Sequence, residues 1–496
     1  MKPFIYSIQF LFLLFCFQTV VAQQTDTMLD RTLGSVVTVA VYKTDNIASK
    51  QLGFRGEGNS DRSVSKVAYK RALDLAGARG SGSGFVITYK GKPYVITNSH
   101  VIENASDEEG SISVFSVNRS KYGVRILGGD SFYDIAVLEF VGEPGPEINT
   151  VAFRDSEARL GEKVYAIGNP LGEYPYSVSD GIISAKNRVR GGMTGKFGFL
   201  QTTATVIWGN SGGPLVDASG DVLGINSQIA FTRSPSGNDV WLSQINFALD
   251  GTLSKRLVEN IIENNGRVER AYAGIELSQE QVYHPGTRRM EEGKVVISGI
   301  LNDAPSAAKL RQYAGMELVR VNEMDIRTVE DALYQFERTT PGQELTLQVD
   351  DGKMGRQVVK ITTTTLRKRQ LESIAAYFLG SIPDIDLHSA DPQVLIELKE
   401  EKVQQYGEQG FGELFNPSQT LQKNYAVLAA GVRGKNYQRM WRIDGLYDLG
   451  AALKLSGLSG ILDMYVAENS AGSEKIKVFR RNFSDQRNTK IKRIWY

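Results

Sequence analysis

The stretch WGNSGGPLVD, residues 208–217, sets one hydroxyl, Ser211, among Gly209, Gly212, Gly213 and Pro214. Glycine lets backbone approach a partner closely or adopt dihedrals closed to other residues, so this composition suits a turn shaped for contact. Taken alone it reads better as a surface turn ahead of the strand PLVD. A hydroxyl becomes a nucleophile near neutral pH only if a base removes its proton. The chain has three histidines, His100, His284 and His388, and only His100 precedes the serine. It follows the apolar run in KPYVITNSHVIENA, where a strand ends in a polar turn. Asp134, in SFYDIAVLEF, stands before a strand that reads as buried, where a carboxylate needs hydrogen-bond partners. Singly, the histidine reads as structural or solvated and the aspartate as a turn residue.

The elements that would position these groups are visible in the pattern. SVVTVAVY reads as a first strand, and residues 44–80, rich in glycine, serine and charge, read as an insertion that contains the helically spaced VSKVAYKRALDLAG. LSKRLVENIIENN reads as a helix that closes this region, and a new module begins near Arg270. The 496 residues suit roughly three domains at ~150 residues each. With 57 basic and 56 acidic side chains, the chain has no electrostatic footprint for nucleic acid.

The opening MKPFIYSIQFLFLLFCFQTVVAQQ pairs one lysine with a short apolar run and ends with Val20 and Ala22 where a signal peptidase reads, so residues 1–22 are expected to be a cleaved signal. Export follows, with the periplasm as the expected compartment; secretion or an uncleaved membrane anchor is the alternative. No span is expected in the mature chain. The single cysteine, Cys16, lies inside that segment, which removes disulfides, thiolate metal sites and cysteine nucleophiles from the mature protein. No metal or cofactor is expected.

TNSHVI, DIAVLEF and GNSGGPLV, with GSGFVI before and GNPLGE between, follow the chymotrypsin chain order His, Asp, Ser and resemble the trypsin-like proteases of the HtrA (DegP) type. The resemblance runs over about residues 31–365. It implies a mostly β chain: a chymotrypsin-like double β-barrel protease domain over residues 23–265, then an α+β PDZ-like domain over 266–366. It also implies that His100 is the base, that Asp134 orients it, and that Ser211 is the nucleophile. Gly209, Asn210 and Ser211 would form the oxyanion loop, and Thr205 and Asn226 the specificity pocket. The family often has a proline before GNSGG and an aspartate earlier in that loop, where this chain has Trp208 and Thr203. That leaves a resting inactive state open.

AYAGIEL, VVISGILNDAPSAAKL and GMELVRVNEMDI resemble the opening, the next strand and helix entry, and a later strand and turn of the family's PDZ domain. Tyr272, Ala273, Gly274 and Ile275 match its carboxylate loop, so AYAGIEL is expected to offer unpaired amides at a sheet edge to peptides with free apolar C-termini. Residues 367–496 carry no named motif. They are expected to form a further small α+β domain, read as a degenerate second copy of the PDZ module.

The implied activity is a serine endopeptidase acting on unfolded or misfolded proteins in quality control and stress response, assembled as a homotrimer or a multiple of trimers. A chaperone or holdase, or a PDZ-based scaffold with little proteolysis, is the alternative.

Overall fold

The computed structural model describes residues 28–43, 80–103, 105–106, 108–130, 132–169, 176–190, 196–233, 239–353, 355–383, 385–389, 394–398, 403–406, 413–414, 424–433, 438–459, 461–468, 476–482 and 489–496. The expected signal, residues 1–22, and the helix expected within 44–80 lie outside them. The chain forms two compact units; Val268 closes the first and Glu269 opens the long stretch of the second.

The first unit holds two closed six-stranded barrels. One is built from β1 (Val36–Val41), β2 (Gly80–Tyr89), β3 (Lys92–Thr97), β4 (Ile112–Phe115), β5 (Lys121–Asp130) and β6 (Ile135–Phe140), in the order β1-β2-β3-β6-β5-β4. β-Branched and apolar side chains alternate inward, and Val37, Val39, Val86, Val95, Val114 and Leu138 fill the interior with no solvent exposure. Each such side chain contributes roughly 1.5–3 kcal/mol on burial. A four-residue helix, α1 (Ser99–Ile102), follows β3.

The other barrel runs β10-β11-β12-β9-β8-β7. Its strands are β7 (Lys163–Gly168), β8 (Ser177–Arg190), β9 (Lys196–Thr202), β10 (Pro214–Val216), β11 (Val222–Arg233) and β12 (Asp239–Asp250). Helix α2 (Gly251–Glu263) then returns to the first barrel. Asp250 caps it by accepting from the amides of Thr252 and Leu253. Its last turn is tied to the β2–β3 turn, where Glu263 accepts from Tyr89 at 2.5 Å and Lys90 at 2.7 Å. Just beyond it, Gly266 packs backbone to backbone on Gly128 of β5, where a Cβ on either residue would collide with the other chain segment.

The second unit contains two eight-stranded sheets. β13 (Ala271–Tyr272) leads into β14 (Ile275–His284) and β15 (Arg289–Ile300). Then come α3 (Ala307–Leu310), β16 (Glu317–Val321), β17 (Met324–Asp325), α4 (Val329–Glu337), β18 (Glu344–Asp350), β19 (Arg356–Thr362) and β20 (Thr364–Thr365). The rest of the chain supplies α5 (Lys368–Gly380), β21 (Ile385–Ser389), β22 (Leu395–Leu398), β23 (Val403–Tyr406), β24 (Glu413–Leu414), β25 (Asn424–Arg433) and β26 (Gln438–Arg442). It ends with α6 (Leu446–Ser456), β27 (Leu458–Ser459), β28 (Ile461–Glu468), β29 (Ile476–Asn482) and β30 (Thr489–Trp495).

Two expectations need correction. Residues 367–496 hold an eight-stranded sheet of their own but do not fold apart from the residues before them, because β27 and β30 join the preceding sheet in the order β19-β18-β16-β15-β14-β30-β27. α6 also packs on α5 so closely that a Cβ on Gly450 would collide with the Leu371 carbonyl. Nor are the amides of AYAGIEL free at an edge: β14 has β15 on one side and β30 on the other. A strand from far along the chain satisfies groups that a local reading leaves open.

Arg154 is the electrostatic anchor beneath the second barrel, reaching Glu162 at 2.5 and 3.0 Å and Asp217 at 3.1 Å. All three side chains are at most 16% exposed, so the cation cannot be replaced by water. The Arg154 hydrogen bond is the main cause holding the Glu162 carboxyl below its ordinary 4.5. Because that value is depressed on folding, its contribution is present above 4.5 and is lost as pH falls through the lowered value. Arg154→Ala should cost about 3 kcal/mol at neutral pH by leaving two buried carboxylates uncompensated. Urea unfolding followed across pH 7 to 3 should show the gap between wild type and variant shrinking on the acid side.

Candidate active site

The turn after β3 is built so that each residue of TNSH has a partner. Thr97 Oγ1 donates to the Ser83 carbonyl at 2.7 Å, and Asn98 Nδ2 donates to the Asp134 carbonyl at 2.7 Å. Ser99 Oγ and the His100 amide both donate to Asp134 Oδ1 at 3.0 Å. The His100 ring meets the same carboxylate, with Nδ1 2.8 Å from Oδ2 and 3.0 Å from Oδ1. Asp134 is buried and His100 is 44% exposed, so the carboxylate lies inside while the imidazole opens to solvent. This geometry favours a proton on Nδ1 and leaves Nε2 as the basic nitrogen.

Asp134 takes φ +62°, a conformation costing roughly 1–3 kcal/mol for a residue with a side chain. The hydrogen bonds to its carboxylate and carbonyl hold it there. The second barrel adds another: Ser227 Oγ on β11 donates to Asp134 Oδ2 at 3.0 Å. The carbonyl of the same residue accepts from Ser211 Oγ at 3.3 Å. Ser227 therefore joins the two ends of the His-Asp-Ser set. It follows Asn226 in the strand VLGINSQIAF, where no local signal distinguishes it from an ordinary strand serine.

The nucleophile turn is held against β2. The Ser83 amide donates to the Ser211 carbonyl at 2.9 Å, and Ser83 Oγ donates to the Gly209 carbonyl at 2.6 Å while accepting from the Asn169 amide at 2.7 Å. Gly209 and Gly212 take φ +96° and +87°, and a Cβ on Gly212 would collide with the Ser83 carbonyl. The glycines around Ser211 thus serve both left-handed dihedrals and close approach. Among the described residues, the amides of Gly209 and Ser211 donate no hydrogen bond to the chain. The Asn210 amide is already engaged by the Ile207 carbonyl at 3.0 Å, which removes Asn210 from the expected set of oxyanion donors.

Thr205 is half-buried, and its carbonyl accepts from Ser179 Oγ at 2.6 Å. Asn226, expected in the specificity pocket, has no solvent exposure. Its side chain donates to the Ile167 and Pro214 carbonyls, and its backbone pairs with Gly212 and Gly213. It buttresses the nucleophile turn from behind.

In the second unit, Tyr272 is fully buried and donates to Asp303 at 2.6 Å, and burial is the main cause raising its phenol above the ordinary range. Gly274 takes φ +70° with its Cα against Ala304. The Ile275 amide donates to the Tyr496 carbonyl at 2.9 Å. Among the described residues, no group of His, Cys, Asp and Glu is arranged to hold a metal ion.

The double barrel carries His, Asp and Ser on its connecting turns, and residues 82–225 match the family model described as the trypsin-like peptidase domain. The chain is similar to proteins called "Probable periplasmic serine endoprotease DegP-like". It is 33% identical over 297 residues to one from Brucella suis biovar 1 (strain 1330), covering 60% of this chain and 54% of the relative. It is 33% identical over 303 residues to one from Ectopseudomonas mendocina (strain ymp), covering 60% and 59%. The chain thus spans about half the length of the curated relatives it matches. A solved structure described as "HtrA-type protease AlgW with decapeptide" aligns at 26% identity and a TM-score of 0.46, covering 69% of this chain and 99% of that one.

Ser227→Ala should destabilise the first unit by about 1–3 kcal/mol, because a buried carboxylate loses a charge-assisted donor. Ser227→Thr should retain most of that stability. Urea midpoints of the two variants provide the comparison.

Proposed function

We propose that this chain is an exported serine endoprotease of the HtrA type that hydrolyses peptide bonds in unfolded or misfolded proteins. The observation that carries the reading is the His100–Asp134 pair, joined through Ser227 to Ser211. In the proposed reaction, His100 Nε2 takes the proton from Ser211 Oγ as the oxygen attacks the scissile carbonyl. Asp134 holds the Nδ1 proton and stabilises the imidazolium, which then returns its proton to the leaving amine. The Gly209 and Ser211 amides receive the developing oxyanion, each worth ~3–4 kcal/mol to the transition state. Water repeats the sequence on the acyl-enzyme. The names of the periplasmic relatives support export to that compartment. No helix among the described residues is long and apolar enough to cross a membrane.

Ser211→Ala and His100→Ala should each abolish cleavage of unfolded casein while leaving the circular dichroism spectrum unchanged. Comparable turnover by either variant would remove the assignment. Wild-type activity should fall on acidification, since only neutral imidazole accepts the serine proton.

Specificity follows from the position six before the nucleophile, Thr205, which carries no charge. A substrate lysine or arginine would lose hydration there without a countercharge, so cleavage after valine, alanine or leucine is expected. Mass spectrometry of casein fragments checks this, and cuts mainly after lysine and arginine would contradict it.

We also propose that β14, from Ile275 to Val282, recognises peptides by strand addition in exchange for β30, the strand that fills this edge in the structure. The engagement of the Ile275 amide by a carbonyl of an added strand supports this reading.

A further inference from the structure

The strand added to β14 belongs to the chain itself. β30 runs antiparallel to β14 from Glu276↔Trp495 to Val282↔Thr489, and Ile275 and Tyr496 then exchange both backbone hydrogen bonds at 2.9 Å. On its other side, among the described residues, β30 pairs with the two-residue β27, at Leu458↔Arg493 and Ser459↔Lys492. Backbone pairing of this kind accepts almost any sequence, so selectivity must come from side chains.

Those side chains are matched to their surroundings one by one. Tyr496 is buried, stacks on Phe336 of α4 at 4.4 Å, donates its hydroxyl to the Phe336 carbonyl, and lies 4.6 Å beneath the Lys454 ammonium. Trp495 is buried edge-on against Phe378 of α5 at 5.6 Å. Arg493 pairs with Glu276 at 2.5 Å, and Lys492 reaches Glu330 at 3.0 Å and Glu292 at 3.5 Å. Glu276 and Glu330 are nearly inaccessible to water. Burial pushes the Glu330 carboxyl up, and Lys492 is the group that pulls it back. An edge lined with buried acids is a poor site for an uncharged strand, because an unpaired buried carboxylate is costly.

We propose that the β14 edge, Ile275–Val282, is an intramolecular binding site whose ligand is the chain's own segment Thr489–Tyr496, and that free peptides of the same chemistry enter only in its place. That chemistry is a pair of cations followed by one apolar and two aromatic residues, as in KRIWY. The inference rests on the strand-addition reading of this edge and names its occupant. Where an apolar residue was expected, the site holds a full tyrosine ring stacked on Phe336 with an acceptor for its hydroxyl. Tethering gives the resident segment a high effective concentration, so outside peptides compete at a disadvantage.

The test uses the full chain carrying Ser211→Ala, with a specific protease site inserted between Asn482 and Thr489, so that the protein folds before the segment is cut free. A fluorescent synthetic peptide of residues 489–496 is added in excess before and after cutting, and bound label is measured after gel filtration. Uptake at least tenfold higher after cutting is expected. Peptides with Lys492→Ala and Arg493→Ala together, or with Tyr496→Ala, should be taken up at least tenfold less. Equal uptake before and after cutting overturns the proposal, as does no uptake by a cut chain that stays folded. An unrelated peptide ending in valine separates the two readings. If it binds the cut chain and 489–496 does not, strand addition survives and the self-ligand is lost; if neither binds, both are lost. Hydrogen exchange on the uncut chain without the insertion is the second measurement. The Ile275 amide should be as protected as the β18–β19 pairs and should exchange at least tenfold faster in the Lys492→Ala/Arg493→Ala variant. An unprotected Ile275 in the parent chain would falsify the self-ligand.

Discussion

The Asp134 carboxylate is the constraint on which the first unit turns. It is buried, sits on a residue with φ +62°, and accepts from Ser99, the His100 amide, the His100 ring and Ser227. An ionised carboxylate removed from water survives only if its lone pairs are filled, and charge-assisted bonds of ~1.5–3 kcal/mol each can offset both desolvation and backbone strain. Three of those donors come from the turn after β3 and one from β11 in the other barrel. The carboxylate therefore fixes the imidazole and also sets how the two barrels meet. Because Ser227 holds Asp134 with its hydroxyl and Ser211 with its carbonyl, a shift of β11 would disturb both ends of the site together.

Small residues make that meeting close enough. Ser83 binds the nucleophile turn through its amide and hydroxyl and binds Thr97 through its carbonyl, so one residue of β2 touches both the histidine turn and the serine turn. The flanking glycines leave room. A Cβ on Gly82 would press on Val101 and the Ser211 carbonyl, and one on Gly84 on the Ile96 carbonyl. The repeat of glycine and serine in residues 80–84 is the contact surface between two pieces of backbone.

The second unit obeys the same rule with different groups. A strand edge and several buried acids call for partners, and β30 brings both backbone and cations to them. Glu337 shows the pattern again, held between Arg270 at 3.2 Å and Lys454 at 3.2 Å, with the Lys454 ammonium also over the Tyr496 ring. Pairings that join residue 276 to 493 and 330 to 492 draw the terminal stretch into the module, which is why a boundary near residue 366 does not separate two domains.

By itself the sequence offered His100, Asp134 and Ser211 as a candidate set, and the resemblance of the motifs around them implied the double barrel. His100 is the one imidazole upstream of Ser211, the glycines mark a turn that only small residues can make, and SVVTVAVY reads as a first strand, which is found as β1 (Val36–Val41). The closing helix was legible from its period and is found at Gly251–Glu263. Each of these is a local property, written within a few consecutive residues. Tertiary structure alone decided the partners. Asn226, expected at the specificity pocket, is buried and bonded to the Ile167 and Pro214 carbonyls; Asn210 looked like an oxyanion donor and has spent its amide on Ile207. Ser227 carried no mark at all, and the AYAGIEL edge looked open until a strand more than two hundred residues away filled it. Hydrogen bonds and ion pairs are satisfied by whatever the fold brings within about 3 Å, and that proximity is not encoded at either end of the contact.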